Sequence, residues 1–446
     1  KLEYIVMRSI TTNKIWALAW PMILSNISVP LLGLVDTAVL GHLASANYLA
    51  AVAVGSAIIA FLYWGFGFLR MGTTGETAKA FGRHCGNESV LILLRAAAIA
   101  LVISAIIAVF HPWLFRFGLW AMNSEANVSA LADQYLNIRL YSAPAAMVNY
   151  VLIGWFIGMQ RPKLALLSVI FCNVVNIALD LVFVVGLEMT SAGVAWATVI
   201  AEYASCLFGA WLAKPHIGAA INRATLRQLR QWQAWFALIK GNSFLFVRTV
   251  TLLLTMAAFT RRGGEFGTLV LAANALLMQL AMLVSYGLDG FANAAEALVG
   301  EAIGRKDNQQ LRHAMMGTAD FSAVVALLFT AFLWLGHEPM INALTTQTGI
   351  RAIATEYVSY VIAFPCIAVW CFWLDGVFIG ANRHLPMMWS MLFSAVVVFG
   401  GLLIVLSDWQ NHGLWTAYLT FMAARGLSLG FISYRYSKRE SWFQSS

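Results

Sequence analysis

Apolar stretches of about 20 residues or more recur along the chain, and that is the length a helix needs to cross a hydrocarbon core of about 30 Å. Twelve of them lie near 14–40, 47–71, 88–111, 127–156, 163–186, 191–213, 233–259, 267–292, 312–335, 349–380, 385–406 and 413–434. Inside such a core every backbone N–H and C=O must find a partner within the chain, so only helices and closed barrels are admissible, and runs this long are helical. A composition 61% hydrophobic and only 11% charged removes the soluble classes, in which about a quarter of residues are charged. The expected fold is an all-α polytopic membrane protein of twelve transmembrane helices. The first stretch reads as a retained helix rather than a cleaved leader, because it lacks a small-residue cleavage pattern and carries Asp36.

Lysine and arginine set the orientation. One alternate set of loops carries Arg8 and Lys14, Lys79 and Arg83, Arg161 and Lys163, Lys214 with Arg223, Arg227 and Arg230, Arg305 and Lys306, Arg383, and Arg435 with Lys438 and Arg439. The opposite set carries little beyond Arg116, Arg261 and Arg262. Both termini are therefore expected in the cytoplasm. The net charge of +8 follows from this topology and does not call for a nucleic-acid partner.

The chain repeats itself at half its length. "FIGMQRPKLALLSVIFCNVV" from Phe156 returns as "FIGANRHLPMMWSMLFSAVV" from Phe378, and "AKAFGR" ending at Arg83 returns as "GEAIGR" ending at Arg305, in both cases 222 residues later. Between the copies runs a basic segment with Pro215 and "NRATLRQLRQ". The organisation read from this is an amino-terminal six-helix lobe over 1–213, a cytoplasmic linker over 214–232 and a carboxy-terminal six-helix lobe over 233–446. An even number of spans per copy keeps the orientation, so the lobes are pseudo-symmetric about an axis along the membrane normal. Transporters use that arrangement to rock one bundle against the other around a central site, whereas channels more often build a filter around a pore.

The repeat also tests which polar residues the architecture demands. Asp36 stands in "PLLGLVDTAVLGHL", yet its equivalent in the second copy is Ala257 or Ala258. A carboxylate at mid-helix costs roughly 2.5 to 3.5 kcal/mol on insertion scales, and such residues mark ion pathways or proton relays by default. In "CNVVNIALDLVF", Asn173, Asn176 and Asp180 are spaced three and four apart, on one helical face, while their equivalents Ala395, Val398 and Leu402 are apolar. Amides donate to carboxylates, so two carboxylates with asparagines form a proton-sensitive unit. Interhelical hydrogen bonding that only holds the bundle together is the plainer role for Asn173.

No covalent chemistry is legible. The five cysteines and eight histidines are scattered, without disulfide or metal-ligand spacing, and no phosphate-cradling loop or nucleophile elbow is present. Neither an enzyme, a metal nor a cofactor is expected.

"WPMILSNISVPLLGLVDTAVLGHL", "FLRMGTTGETAKAFGR", "GWFIGMQRPKLAL" and "NVVNIALD" resemble the multidrug and toxic compound extrusion (MATE) family, in its DNA-damage-inducible, DinF-like proton-coupled branch. The resemblance implies twelve helices in two lobes and export of cationic lipophilic drugs against a proton or sodium gradient. It implies a proton-coupling set of Asp36, Asn176, Asp180 and Thr198, with Tyr135 and Asn149 as further polar members of the same substrate cavity, beside Asn173. It also implies that the first helix bends when its aspartate is protonated, and Pro21 supplies the weak point. Sodium-coupled relatives carry a carboxylate on the seventh helix. Here "NSFLFVRTVTLLLT" places Arg248 near it, available to pair with Asp375.

The sequence thus reads as a proton-coupled multidrug antiporter, a monomer in the bilayer, whose partners are protons and cationic amphiphiles. A lipid-linked precursor flippase and a sodium-coupled exporter are the neighbouring alternatives. A channel would betray itself by gradient-independent flux, and an intramembrane enzyme by a nucleophile and base.

Overall fold

The computed structural model describes residues 12–28, 46–122, 125–218, 223–439 and 441–443. Over them the chain runs as α1 (12–28), α2 (Ala46–Gly65), α3 (Phe68–Gly82), α4 (Gly86–Met122), α5 (Ala126–Leu140), α6 (Ala143–Gly158), α7 (Pro162–Asp180), α8 (Thr190–Ile217) and a short α9 (Arg223–Gln228). It continues as α10 (Trp232–Glu265), α11 (Thr268–Arg305), α12 (Asn308–Leu344), α13 (Thr348–Gly380), α14 (His384–Leu392), α15 (Gly400–Val405) and α16 (Gln410–Lys438). Wide π-helical turns at Leu181–Gly186 and Phe393–Phe399 extend α7 and join α14 to α15. No strand occurs among the described residues.

Nine spans among the described residues are long and apolar enough to cross a membrane, and α5 with α6, bent by 56° at their junction, forms a tenth. The remaining two expected spans coincide with α1 and with α16, whose apolar run Arg425 interrupts. The fold is the all-α, twelve-span membrane architecture expected from the sequence. Several helices outrun their apolar stretch: α11 continues to Arg305 through "AEALVGEAIGR", because a helix satisfies its own backbone in water as well as in lipid. Local sequence marks the ends. Pro162 opens α7 in the first turn, where a missing N–H costs nothing, and the Asp307 carboxylate caps α12 by accepting from Gln310 N at 2.9 Å.

Contacts divide the chain into two compact units, Leu24–Ile239 and Lys1–Ile23 together with Lys240–Ser446, here called the amino and carboxy lobes. The boundary falls inside α1. In the carboxy lobe an aromatic core gathers Phe259, Phe364, Phe399, Trp415, Tyr418 and Phe421, all buried, with the Phe259 and Trp415 rings edge to face at 5.1 Å.

The repeat is a repeat of backbone detail. Left-handed residues fall in register at the 222-residue shift: His84 (φ 58°) with Lys306 (φ 57°), Gln160 (57°) with Asn382 (56°), and Glu188 (54°) with Gln410 (49°). The closest helix approaches repeat as well. A Cβ on Gly154 would lie 2.4 Å from Arg70 O, and one on Gly376 2.4 Å from Ala292 O. Gly158 against Thr74 O and Gly380 against Glu296 O form the next step, at 2.7 and 2.4 Å. Lipid gives helices no hydrophobic reason to associate, so such small-xxx-small seams, α6 on α3 and α13 on α11, hold each lobe by backbone proximity.

Candidate functional site

Three polar residues of the amino lobe meet where α7 lies along α8. Asn176 and Asp180 are one turn apart on α7, both buried, and Thr198 on α8 faces them half-buried. With the Asn176 amide nitrogen toward Asp180, Nδ2 donates to Asp180 Oδ2 at 3.3 Å while Oδ1 accepts from Thr198 N and Oγ1, each at 3.2 Å. Turned over, Nδ2 instead donates to Thr198 Oγ1 at 3.2 Å. That second orientation sets the amide oxygen against the carboxylate and the amide nitrogen against the Thr198 backbone N–H, so the first is the one satisfied at both ends. The Thr198 hydroxyl also reaches Val194 O at 2.9 Å. The amide thus links the Asp180 carboxylate on α7 to Thr198 on α8.

The remaining residues singled out in the sequence are placed differently. Asn173, half-buried, donates from Nδ2 to Ser28 O at 3.3 Å, tying α7 to the end of α1. Pro21 is buried within the continuous helix of α1. Asp36 lies outside the described residues. Tyr135 on α5 is buried, with its hydroxyl 3.0 Å from Ser56 Oγ on α2. Gly55 makes room for that ring, since a Cβ there would lie 2.4 Å from Tyr135 Cδ1.

Asn149 leads to a carboxylate that the sequence reading passed over. Its Nδ2 donates to Glu202 Oε2 at 2.7 Å and to Glu202 O at 3.0 Å. The charge that acts on Glu202 is Arg139, buried at the end of α5, whose Nη1 donates to Ser142 Oγ at 2.9 Å. Ser142 sits at the bend between α5 and α6, and the Tyr63 hydroxyl donates to Arg139 O at 3.3 Å beside it. The signal was available: "VIAEYASCLF" puts a carboxylate mid-span in 191–213, and the cost argument applied to Asp36 and Asp180 applies there equally.

The carboxy lobe buries a cluster of another kind. Asp375 Oδ2 on α13 accepts from Arg425 Nη2 on α16 at 2.7 Å and from Arg248 Nη2 on α10. Arg248 was expected to pair with Asp375. Arg425 was not expected, although it interrupts the run 413–434 as visibly as Glu202 does its own. All three side chains are more than nine-tenths buried, and the Arg425 guanidinium also rests 5.5 Å from the Phe421 ring centre.

A helical membrane chain of two repeated lobes with buried charged groups has the architecture that transporters use. Residues 21–182 and 245–401 match the family model described as MatE, and the chain is 39% identical, over 97% of its own length and 94% of the relative's, to DNA damage-inducible protein F of Escherichia coli. It belongs to the MatE family and is an efflux transporter of the multidrug and toxic-compound class. It is 23% identical to a probable multidrug resistance protein NorM of Acinetobacter baylyi, over 92% of both chains. Its fold matches a mutant of the Vibrio cholerae MATE transporter VcmN with a TM-score of 0.87 at 17% identity, over 98% of this chain and 99% of that one.

Proposed function

We propose that the protein is a proton-coupled antiporter that exports cationic lipophilic compounds by alternating access of its two lobes. Its termini face the cytoplasm of a bacterial cell, and it works as a monomer in the inner membrane. Asp36 and the Asn176–Asp180–Thr198 group hold the coupling proton. In the ionised form the carboxylates attract a cationic amphiphile. Protonation removes that charge and weakens the charge-assisted hold of the Asn176 amide on Asp180, a change passed from α7 to α8 through Thr198. Drug release follows from the lost attraction, and α1 bends at Pro21.

The observation that carries this reading is the buried Asp180 carboxylate, held by the Asn176 amide, which is itself held by Thr198 on the facing helix. Asp375 in the carboxy lobe supports it: held by two guanidinium groups, it has no charge left for a sodium ion. A lipid-linked flippase would want cationic groups open to an anionic head group, whereas the amino lobe's Arg139 is turned to Ser142 and balanced by Glu202.

Purified protein in proteoliposomes tests the reading. An imposed proton gradient should drive transport of a lipophilic cation such as tetraphenylphosphonium, and a protonophore should stop it. A sodium gradient at fixed pH should not drive it. Sodium-driven, protonophore-resistant transport would overturn the assignment.

A further inference from the structure

We infer that Glu202 is a second proton-binding carboxylate of the amino lobe, tied through Asn149 to the α6 arm of the bent α5–α6 span. The inference rests on proton coupling in this lobe and extends it to a residue four positions from Thr198.

The argument starts from α8. Thr198 and Glu202 are spaced four apart, so they share one face of the helix about 6 Å along its axis. Thr198 meets the α7 amide of Asn176, and Glu202 meets the α6 amide of Asn149. Each amide stands beside a carboxylate. The two steps of α8 thus repeat one motif, a carboxylate with an asparagine that serves either protonation state, because Nδ2 can donate to an acid's carbonyl oxygen as well as to a carboxylate.

What differs is the counter-charge. The groups whose charges couple to Glu202 are Arg139 on α5, Tyr150 on α6, Tyr63 on α2, Cys172 on α7 and Cys206 on α8 itself. Only Arg139 among them is cationic. Its Nε has no hydrogen-bond partner among the described residues, so its guanidinium is not fully committed to Ser142. Arg139 belongs to α5 and Asn149 to α6, on the two sides of the 56° bend. Glu202 is therefore tied to the α6 arm by a charge-assisted hydrogen bond from Asn149, with Arg139 on the α5 side of the bend. A proton on Glu202 weakens that tie beside the bend.

Purified protein in weakly buffered detergent, mixed with tetraphenylphosphonium while an indicator dye reads pH, tests this directly. The wild type should release protons on binding, Glu202→Gln should release one fewer per transporter, and Glu202→Asp should recover part of the loss. The pH profile of transport by Glu202→Gln should lose one titration step. Equal release and an unshifted profile would overturn the role of Glu202 and leave proton coupling at Asp180 standing. No release from the wild type would overturn both. Should Glu202→Gln fail to fold, infrared difference spectra on acidification decide the matter in a protein that keeps Glu202: Asn149→Ala should shift one carboxylic-acid C=O band, and an unmoved spectrum would overturn the inference.

Discussion

The two lobes share their backbone down to matched left-handed residues and glycine seams, yet they bury opposite kinds of polar group. In the amino lobe Asp180 accepts from the Asn176 amide, a neutral group. In the carboxy lobe Asp375 is clamped by Arg248 and Arg425, permanent cations that only donate. A proton on the first would leave that amide a carbonyl oxygen to donate to. The second cannot be neutralised without leaving two buried guanidinium groups face to face. The repeat therefore fixes where helices cross, while the unshared side chains set the two lobes apart, and the proposed proton response belongs to the amino lobe.

The largest effects should come from the clamp. Asp375→Ala removes the carboxylate that pairs with two buried arginines, and breaking a buried pair in this way costs about 3 to 5 kcal/mol. Thermal unfolding in detergent should show a large loss of stability and expression should fall. Replacing the whole set, Arg248→Leu with Asp375→Leu and Arg425→Met, removes every charge at once and should recover most of that stability, since buried ion clusters are often replaceable by apolar residues. If the triple variant is stable but fails to transport, the clamp is more than a scaffold, and the contrast between the lobes breaks.

The same exchange in the amino lobe should give the opposite result. Asp36→Asn and Asp180→Asn keep shape and lose only the titratable charge, so folded yield should hold while gradient-driven export falls at least about tenfold, the equivalent of roughly 1.4 kcal/mol. Gradient-driven efflux at wild-type rate by either variant would remove that residue from the coupling.

The fold was largely legible because lipid imposes length and apolarity on each span, and because the 222-residue shift is visible in "FIGMQRP" and "FIGANRH". The Asn176, Asp180 and Thr198 group was legible in part from helical spacing and in part from family resemblance, since nothing in the spacing places Thr198 opposite Asn176. Glu202, Arg139 and Arg425 were visible as charges inside spans, but what each does depends on partners in distant helices. Asn149 precedes Glu202 by 53 residues, and Asp375 precedes Arg425 by 50, separations over which one sequence shows no pairing. Tyr135 and Asn149, read as further polar members of the cavity, are hydrogen-bonded to Ser56 and Glu202.

An intermediate effect should follow at Thr198, where the contrast can be sharpened without touching a charge. Thr198→Val keeps volume and removes one of the two donors that orient the Asn176 amide toward Asp180. A neutral hydrogen bond contributes about 0.5 to 1.5 kcal/mol, which corresponds to a few-fold change. Because that amide's hold is strongest on the ionised carboxylate, the ionised form is destabilised relative to the protonated one, and the pH midpoint of transport should move upward. Thr198→Ser should restore it. A valine variant with an unmoved midpoint would separate the amide from the proton.

The smallest effects belong to charges outside the buried sets, and they are expected to be alike in both lobes. Lys14 Nζ pairs with Glu301 Oε2 at 2.7 Å, but the lysine side chain is 38% exposed and Glu301 also holds Arg305 at 2.7 Å. In the amino lobe Arg83 pairs with Glu88, both substantially exposed. Solvent screens such pairs, and removing one partner usually costs 0 to about 1 kcal/mol. Lys14→Ala leaves Glu301 bound by Arg305, so the carboxylate is not stranded, and Arg83→Ala strands only a solvated one. Both variants should unfold within a few degrees of the parent and transport at its rate. A Lys14→Ala variant that keeps its stability but transports several-fold more slowly would mean that the start of α1 has to be held on the carboxy lobe during the cycle, and the proton-driven motion would then involve both lobes rather than one.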